Sequence, residues 1–182
     1  MARLFLNPLV RLRRIPYRCG YGVHSPYAFD FITGVIYEGG IYYAYKELDA
    51  LLPSLVQVFG LRERKIMRLL FRVANFSHPR HALVVNASAV PYAYMKAAVP
   101  SASWTDKLTG KADFIYLDKA CDDVFGCVAE DTILFLDHLR EHKEWWERLK
   151  QNPLTAITFD LYDVGIALFD RTLNRKDYIV SF

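Results

Sequence analysis

His81-Ala82-Leu83-Val84-Val85-Asn86-Ala87-Ser88-Ala89-Val90-Pro91-Tyr92-Ala93-Tyr94-Met95-Lys96-Ala97-Ala98 is the stretch that decides how the rest of the chain is read. Residues 82–85 are apolar without alternation and are followed by small and polar residues, a proline and a helix-compatible segment. That order predicts a buried parallel strand, a turn and a helix. In α/β folds such a turn is where a cofactor usually sits. Here no glycine lies between Gly60 and Gly110, so nothing in the turn readily supplies positive φ or close backbone approach.

Working outward, apolar runs keep alternating with helical segments, which argues for an α/β fold. Residues 112–117 read as a strand ending in Asp118, and residues 132–136 as a strand ending in Asp137. Residues 140–151 read as an amphipathic helix, and residues 155–161, 164–169 and 178–182 as three short strands, at least one pair of them antiparallel. Two acids at the carboxyl ends of neighbouring parallel strands mark the edge where open sheets bind ligands.

Upstream, Ser25 is the expected N-cap and Pro26 the first residue of a helix with Phe29, Ile32, Val35 and Ile36 on its inner face, stopped by Gly39-Gly40. His24, beside that helix start, reads first as a buried, hydrogen-bonded histidine, with an anion contact as the alternative. Residues 41–59 read as a second helical stretch with Leu48, Leu51, Leu52, Leu55 and Val58 inside and a break at Pro53. Tyr37, Tyr42, Tyr43 and Tyr45 fill a helix seam or, alternatively, stack on a planar ligand. Residues 62–76 read as a third helix burying Ile66, Leu69, Leu70, Val73 and Phe76. Arg64, Arg68 and Arg72 repeat along it at i, i+4; a solvated face is the simplest reading and phosphate binding the alternative, with no glycine-rich or aromatic element in evidence to accompany them.

The 182 residues are 53% hydrophobic, enough for one well-buried domain, divided as an N-terminal basic arm and helical region over 1–80 and a core over 81–182. A net charge of +3 is too mild to demand a nucleic-acid partner. The arginines gather before Asp30, at Arg3, Arg11, Arg13, Arg14 and Arg18, interleaved with Leu4, Phe5, Leu6, Leu9, Val10, Leu12 and Ile15. This arm could meet an anionic membrane surface, but Pro8 and Pro16 favour packing on the domain, a second copy or an unknown protein partner. Cys19, Cys121 and Cys127 are odd in number and lack metal-ligand spacing, which suits a reducing compartment, and no secretory signal or spanning segment is expected; the cytoplasm is the expected location.

Three segments carry a resemblance: Gly20-Tyr21-Gly22-Val23-His24-Ser25-Pro26, Tyr42-Tyr43-Ala44-Tyr45-Lys46-Glu47-Leu48 and Arg68-Leu69-Leu70-Phe71-Arg72-Val73-Ala74-Asn75-Phe76. Together with Ala112-Asp113-Phe114-Ile115-Tyr116-Leu117-Asp118, Ile133-Leu134-Phe135-Leu136-Asp137 and residues 159–169, they resemble the class I, Rossmann-like S-adenosylmethionine-dependent methyltransferases. The nearest likeness is to a bacterial group opening with Gly-x-Gly-Val-His-Ser-Pro. The resemblance implies a mostly parallel sheet with an antiparallel C-terminal part, shortened here and preceded by N-terminal helices. It also implies a cofactor site whose degenerate positions are Asn86, Ser88 and Asp106. The family's acid and glycine-rich loop fall at Val84, Asn86 and Val90, and only residues 99–111 stand where it has a strand, a helix and another strand, so at least one strand-helix unit is expected to be missing.

Two functional readings result. The first is a non-catalytic binding or scaffold module that no longer binds S-adenosylmethionine. The second is a working methyltransferase with a remodelled pocket, in which Asp118, Asp137 and His138 orient the substrate and remove its proton. No metal is expected: His138-Leu139-Arg140-Glu141-His142 spells an inverted zinc-peptidase motif, but it starts at a strand exit and lacks a downstream glutamate ligand. The apolar and aromatic N-terminal third is expected to cover the sheet or to form a homodimer contact.

Overall fold

The computed structural model describes residues 8–52 and 60–182. The expectations for Arg3, Leu4, Phe5 and Leu6, and for Pro53, Leu55 and Val58, lie outside these residues. The chain forms two compact units, one of residues 77–87 and 101–180 and the other of residues 1–76, 88–100 and 181–182.

The first of these holds a seven-stranded sheet ordered β2-β1-β3-β4-β6-β5-β7. The strands are β1 His81–Val85, β2 Ser103–Thr105, β3 Ala112–Leu117, β4 Val128–Leu136, β5 Ile157–Asp160, β6 Gly165–Leu168 and β7 Lys176–Ile179. β2, β1, β3 and β4 run parallel, and β6 is antiparallel to both β4 and β5. This is the expected α/β architecture: a mixed, mostly parallel sheet with antiparallel C-terminal strands and helices before it. Residues 106–111 join β2 directly to β3, so one strand survives where the resemblance implied two strands and a helix.

Continuous burial along β1, β3 and the end of β4 explains why these runs do not alternate. On one face Leu83, Val85, Ile115, Leu117, Leu134 and Leu136 pack with Trp145, Trp146 and Leu149. The tryptophans belong to a helix of Lys143–Gln151, shorter than expected because residues 139–141 form a separate 3-10 turn. β4 begins four residues before the expected 132, since the register shifts between Ala112 and Phe114. Buried Thr132 bridges that irregularity, its hydroxyl accepting from the Ala129 N–H at 2.7 Å and donating to the Ala112 carbonyl at 2.6 Å. The last strand lies at 176–179 rather than 178–182, parallel to β5 and pinned by Thr158 Oγ1 donating to Asp177 at 2.6 Å. An edge strand that opens with Lys-Asp carries no apolar run to find.

The second unit contains α1 Pro8–Arg14, α2 Pro26–Phe31, α3 Tyr45–Ala50, α4 Leu61–Ser77 and α5 Ala89–Ala98. Gly20 and Gly22 both sit at φ +76°, a left-handed backbone natural to glycine, and a Cβ at Gly20 would touch the Phe29 ring at 3.0 Å. Ser25 caps α2 as expected, accepting from the Ala28 N–H at 3.3 Å, with Pro26 at the first turn. His24, expected buried, is exposed.

α2 continues into a π-helical turn, Ile32–Ile36. The buried face is Ala28, Phe31, Ile32, Val35 and Ile36, at i, i+3, i+4, i+7 and i+8, and Phe29, expected inside, lies off it and is 43% exposed. Leu51 and Phe76 were likewise expected inside and are exposed at 53% and 42%, although Phe76 still meets Phe31 edge-on. The Tyr42, Tyr45 and Phe71 rings form the expected seam with centroids 4.9–5.2 Å apart, while Tyr43 stands in solvent.

The α4 arginine stripe is not a solvated face. Arg72 is buried and donates from Nε to the Val35 carbonyl at 2.7 Å and from Nη2 to the Ile36 carbonyl at 2.9 Å, satisfying the end of the π-helical turn. Arg68 and Tyr94 share the Asp49 carboxylate, at 2.5 Å and 2.6 Å. Burial, reinforced by that carboxylate, raises the Tyr94 pKa.

Candidate functional site

Each of the four parallel strands is followed immediately by an amide or an acid: Asn86 after β1, Asp106 after β2, Asp118 after β3 and Asp137 after β4. Because these strands share one direction and neighbours in a sheet lie about 4.8 Å apart, the four residues form a row along the carboxyl edge. The ladder extends one residue past the strands, with Asp118 N–H donating to the Val85 carbonyl at 3.2 Å and Asp137 N–H to the Leu117 carbonyl at 2.8 Å. That extension fixes where both acids leave the sheet.

His138 then turns back with φ 54° and ψ 36°, a left-handed conformation that costs a non-glycine residue about 1 kcal/mol. Its N–H donates to its neighbour Asp137 Oδ1 at 2.8 Å, and Tyr116 Oη donates to Asp137 Oδ2 at 3.3 Å. The turn brings the imidazole to the acids: Nε2 lies 3.6 Å from Asp118 Oδ1 and 4.0 Å from Asp137 Oδ2, and Nδ1 lies 3.8 Å from Glu141. Asp137 is 2% exposed, whereas Asp118 and His138 are partly open.

The chain just beyond His138 is held equally firmly. Leu139 N–H donates to the Asp163 carbonyl at 2.9 Å, and Arg140 Nε lies 2.9 Å from the Asp163 carboxylate with its guanidinium over the Tyr162 ring. Tyr162 itself has φ 79°, and its N–H donates to Asp160 at 2.7 Å, so a second left-handed residue shapes the β5–β6 turn.

One ligand atom each from Asp118, Asp137 and His138 lies within 4.8 Å of the others. Two carboxylates and an imidazole at this spacing can hold a cation, and they can equally accept a proton or grip a cationic group. His142 is outside the group and heads the Lys143–Gln151 helix, so the two histidines of the zinc-peptidase motif do not share a helical turn. Asn86 and Asp106 are exposed, Asn86 at φ 57°. Ser88, in the other unit, stands exposed at the N-cap of α5 and makes no side-chain cap.

The sequence reading missed Tyr116, Glu141, Tyr162 and Asp163. Tyr116 looked like a strand core residue and is one, 0% exposed, with only its hydroxyl reaching the site. Asp163 carried a signal: an acid in a short turn between apolar strands, with an arginine available in the facing loop.

No protein-family model and no curated protein matches the chain. Among solved structures, the SAH-bound methyltransferase PaMTH1 of Podospora anserina is similar to 80% of this chain, over 96% of its own length, at 12% identity and a TM-score of 0.42. So distant a likeness says nothing about what this chain binds.

Proposed function

We propose that this protein is a methyltransferase-like module that has lost S-adenosylmethionine and serves as a non-catalytic binding or scaffold protein, allied to the bacterial group with the Gly-x-Gly-Val-His-Ser-Pro opening. The observation that carries this reading is the β1–α5 connection. It is three residues long, Asn86-Ala87-Ser88, and every position bears a side chain, so the backbone has no glycine at which a cofactor could approach closely. The direct β2–β3 link supports it, because the section that the resemblance assigns to the rest of the cofactor site, residues 99–111, keeps one three-residue strand and a six-residue link, 106–111. The free thiols of Cys19, Cys121 and Cys127 support a place in the cytoplasm. No helix among the described residues is long and apolar enough to cross a membrane.

Calorimetric titration with S-adenosylmethionine and S-adenosylhomocysteine tests the loss. Dissociation constants weaker than about millimolar, some 4 kcal/mol of binding free energy, are expected. Micromolar binding of either ligand would overturn the reading and put the second one ahead: a working methyltransferase with a remodelled pocket. The convergence of Asp118, Asp137 and His138, with Asp106 directly after β2, is the observation that favours that alternative.

A further inference from the structure

The arginine stripe of α4 would bind phosphate only with a glycine-rich or aromatic element beside it, and the fold supplies both. Arg64, Lys65, Arg68 and Arg72 line a cavity of about 340 Å³, together with Gly39 and Gly40 of the loop after the π-helical turn and with the Tyr37, Tyr45 and Phe182 side chains. Four of the lining side chains are cationic and one, Glu38, is acidic. Both Glu38 oxygens accept from the Tyr42 hydroxyl, at 3.0 Å and 2.8 Å.

The cations are held in place rather than waving in solvent. Arg72 is fixed by the Val35 and Ile36 carbonyls. Arg68 is fixed by Asp49 and lies with its guanidinium carbon 4.7 Å above the Tyr45 ring, and Arg64 Nε is 3.5 Å from the same Asp49. Lys65 Nζ sits 4.0 Å over the Phe182 ring. A guanidinium has five donors in a rigid fork, so the pairing of Arg68 with Asp49 leaves it hydrogen-bonding capacity toward an oxyanion. Gly39 has nothing within 4 Å of where a Cβ would stand, so a ligand can approach that backbone closely.

We propose that this cavity binds a small phosphomonoester, its phosphate held by Arg64, Lys65 and Arg68 and its apolar or aromatic body lying against Tyr37, Tyr45 and Phe182. The volume is at the lower end of ligand pockets, which restricts the body to about one ring. A dianion suits several fixed cations better than a monocarboxylate does, and the aromatic wall separates an ester from free phosphate. The site is independent of the methyltransferase reading: it uses none of the strand-end residues, and S-adenosylmethionine binding has no bearing on it.

Calorimetry on the full chain at low salt with phenyl phosphate, inorganic phosphate and benzoate tests the proposal. Phenyl phosphate is expected to bind one to one, at least tenfold more tightly than either of the others. Lys65→Ala and Arg64→Gln should each weaken it about tenfold or more without changing the melting temperature of the unliganded protein, and Arg148→Gln, which does not line the cavity, should leave it unchanged. If Arg64→Gln unfolds the chain, exposed Lys65 alone carries the test. Absence of phenyl phosphate binding at millimolar concentration, equal affinity for inorganic phosphate, or indifference to Lys65→Ala would each overturn the assignment.

Discussion

At the scale of single residues, the chain depends on a few positions where one atom decides the packing. Gly165 opens β6, and a Cβ there would stand 2.7 Å from the Trp146 ring. The tryptophan is buried in the core, so the ring cannot swing away cheaply. Gly165→Ala is expected to destabilise by about 1–3 kcal/mol, read as a lowered urea midpoint at unchanged slope. An unchanged midpoint would mean that the helix bearing Trp146 shifts freely against the sheet. Sequence showed this glycine only as part of a strand, because the contact spans 19 positions of chain. The candidate site was legible to the same degree: Asp118 and Asp137 were readable as acids closing apolar runs, whereas the left-handed turn at His138 that joins them was not. A histidine at positive φ has no local signature, and what holds it is the tie from Leu139 and Arg140 to Asp163.

At the scale of elements, the strands of the parallel half and the capped start of α2 were legible because burial on both faces and N-cap chemistry are local signals. The π-helical turn and the inward arginines were not, since each is the other's cause across more than thirty residues. A wide turn leaves the Val35 and Ile36 carbonyls to be satisfied, and Arg72 does so from α4. Arg72→Met should therefore cost about 3 kcal/mol, more than a surface arginine, by leaving those carbonyls without their charged donor. A melting temperature like wild type would show that water serves as well. The buried residues Ala28, Phe31, Ile32, Val35 and Ile36 stand at i, i+3, i+4, i+7 and i+8, so deleting exposed Gly34 would rotate Val35 off the buried face. The deletion is expected to destabilise the protein, read as a lowered melting temperature; an unchanged one would show that the packing of Val35 is dispensable.

At the scale of the whole molecule, the described part of the N-terminal arm leaves apolar side chains in water: Leu9 is 67% exposed, Leu12 63% and Ile15 51%. Scattered exposed apolar residues mean little, but Leu9, Leu12 and Ile15 recur every third residue across α1 and the 3-10 turn that follows it, and form a stripe. We propose a homodimer contact through the N-terminal helices. Light scattering should give the mass of a dimer for the full chain and of a monomer after deletion of residues 1–18. Monomers in both cases, with equal stability, would leave the arm as a tether for an unknown protein partner.

The division into two units has a consequence of a different kind. The chain enters and leaves the sheet unit twice, with residues 77–87 and 101–180 in one unit and residues 1–76, 88–100 and 181–182 in the other. Neither unit is a continuous run of sequence, so no single cut yields both intact, and neither could be shuffled between genes as a self-contained cassette. The β1–α5 stretch, residues 81–98, is itself one of the crossings. Removing either unit as one contiguous stretch therefore also removes part of the other.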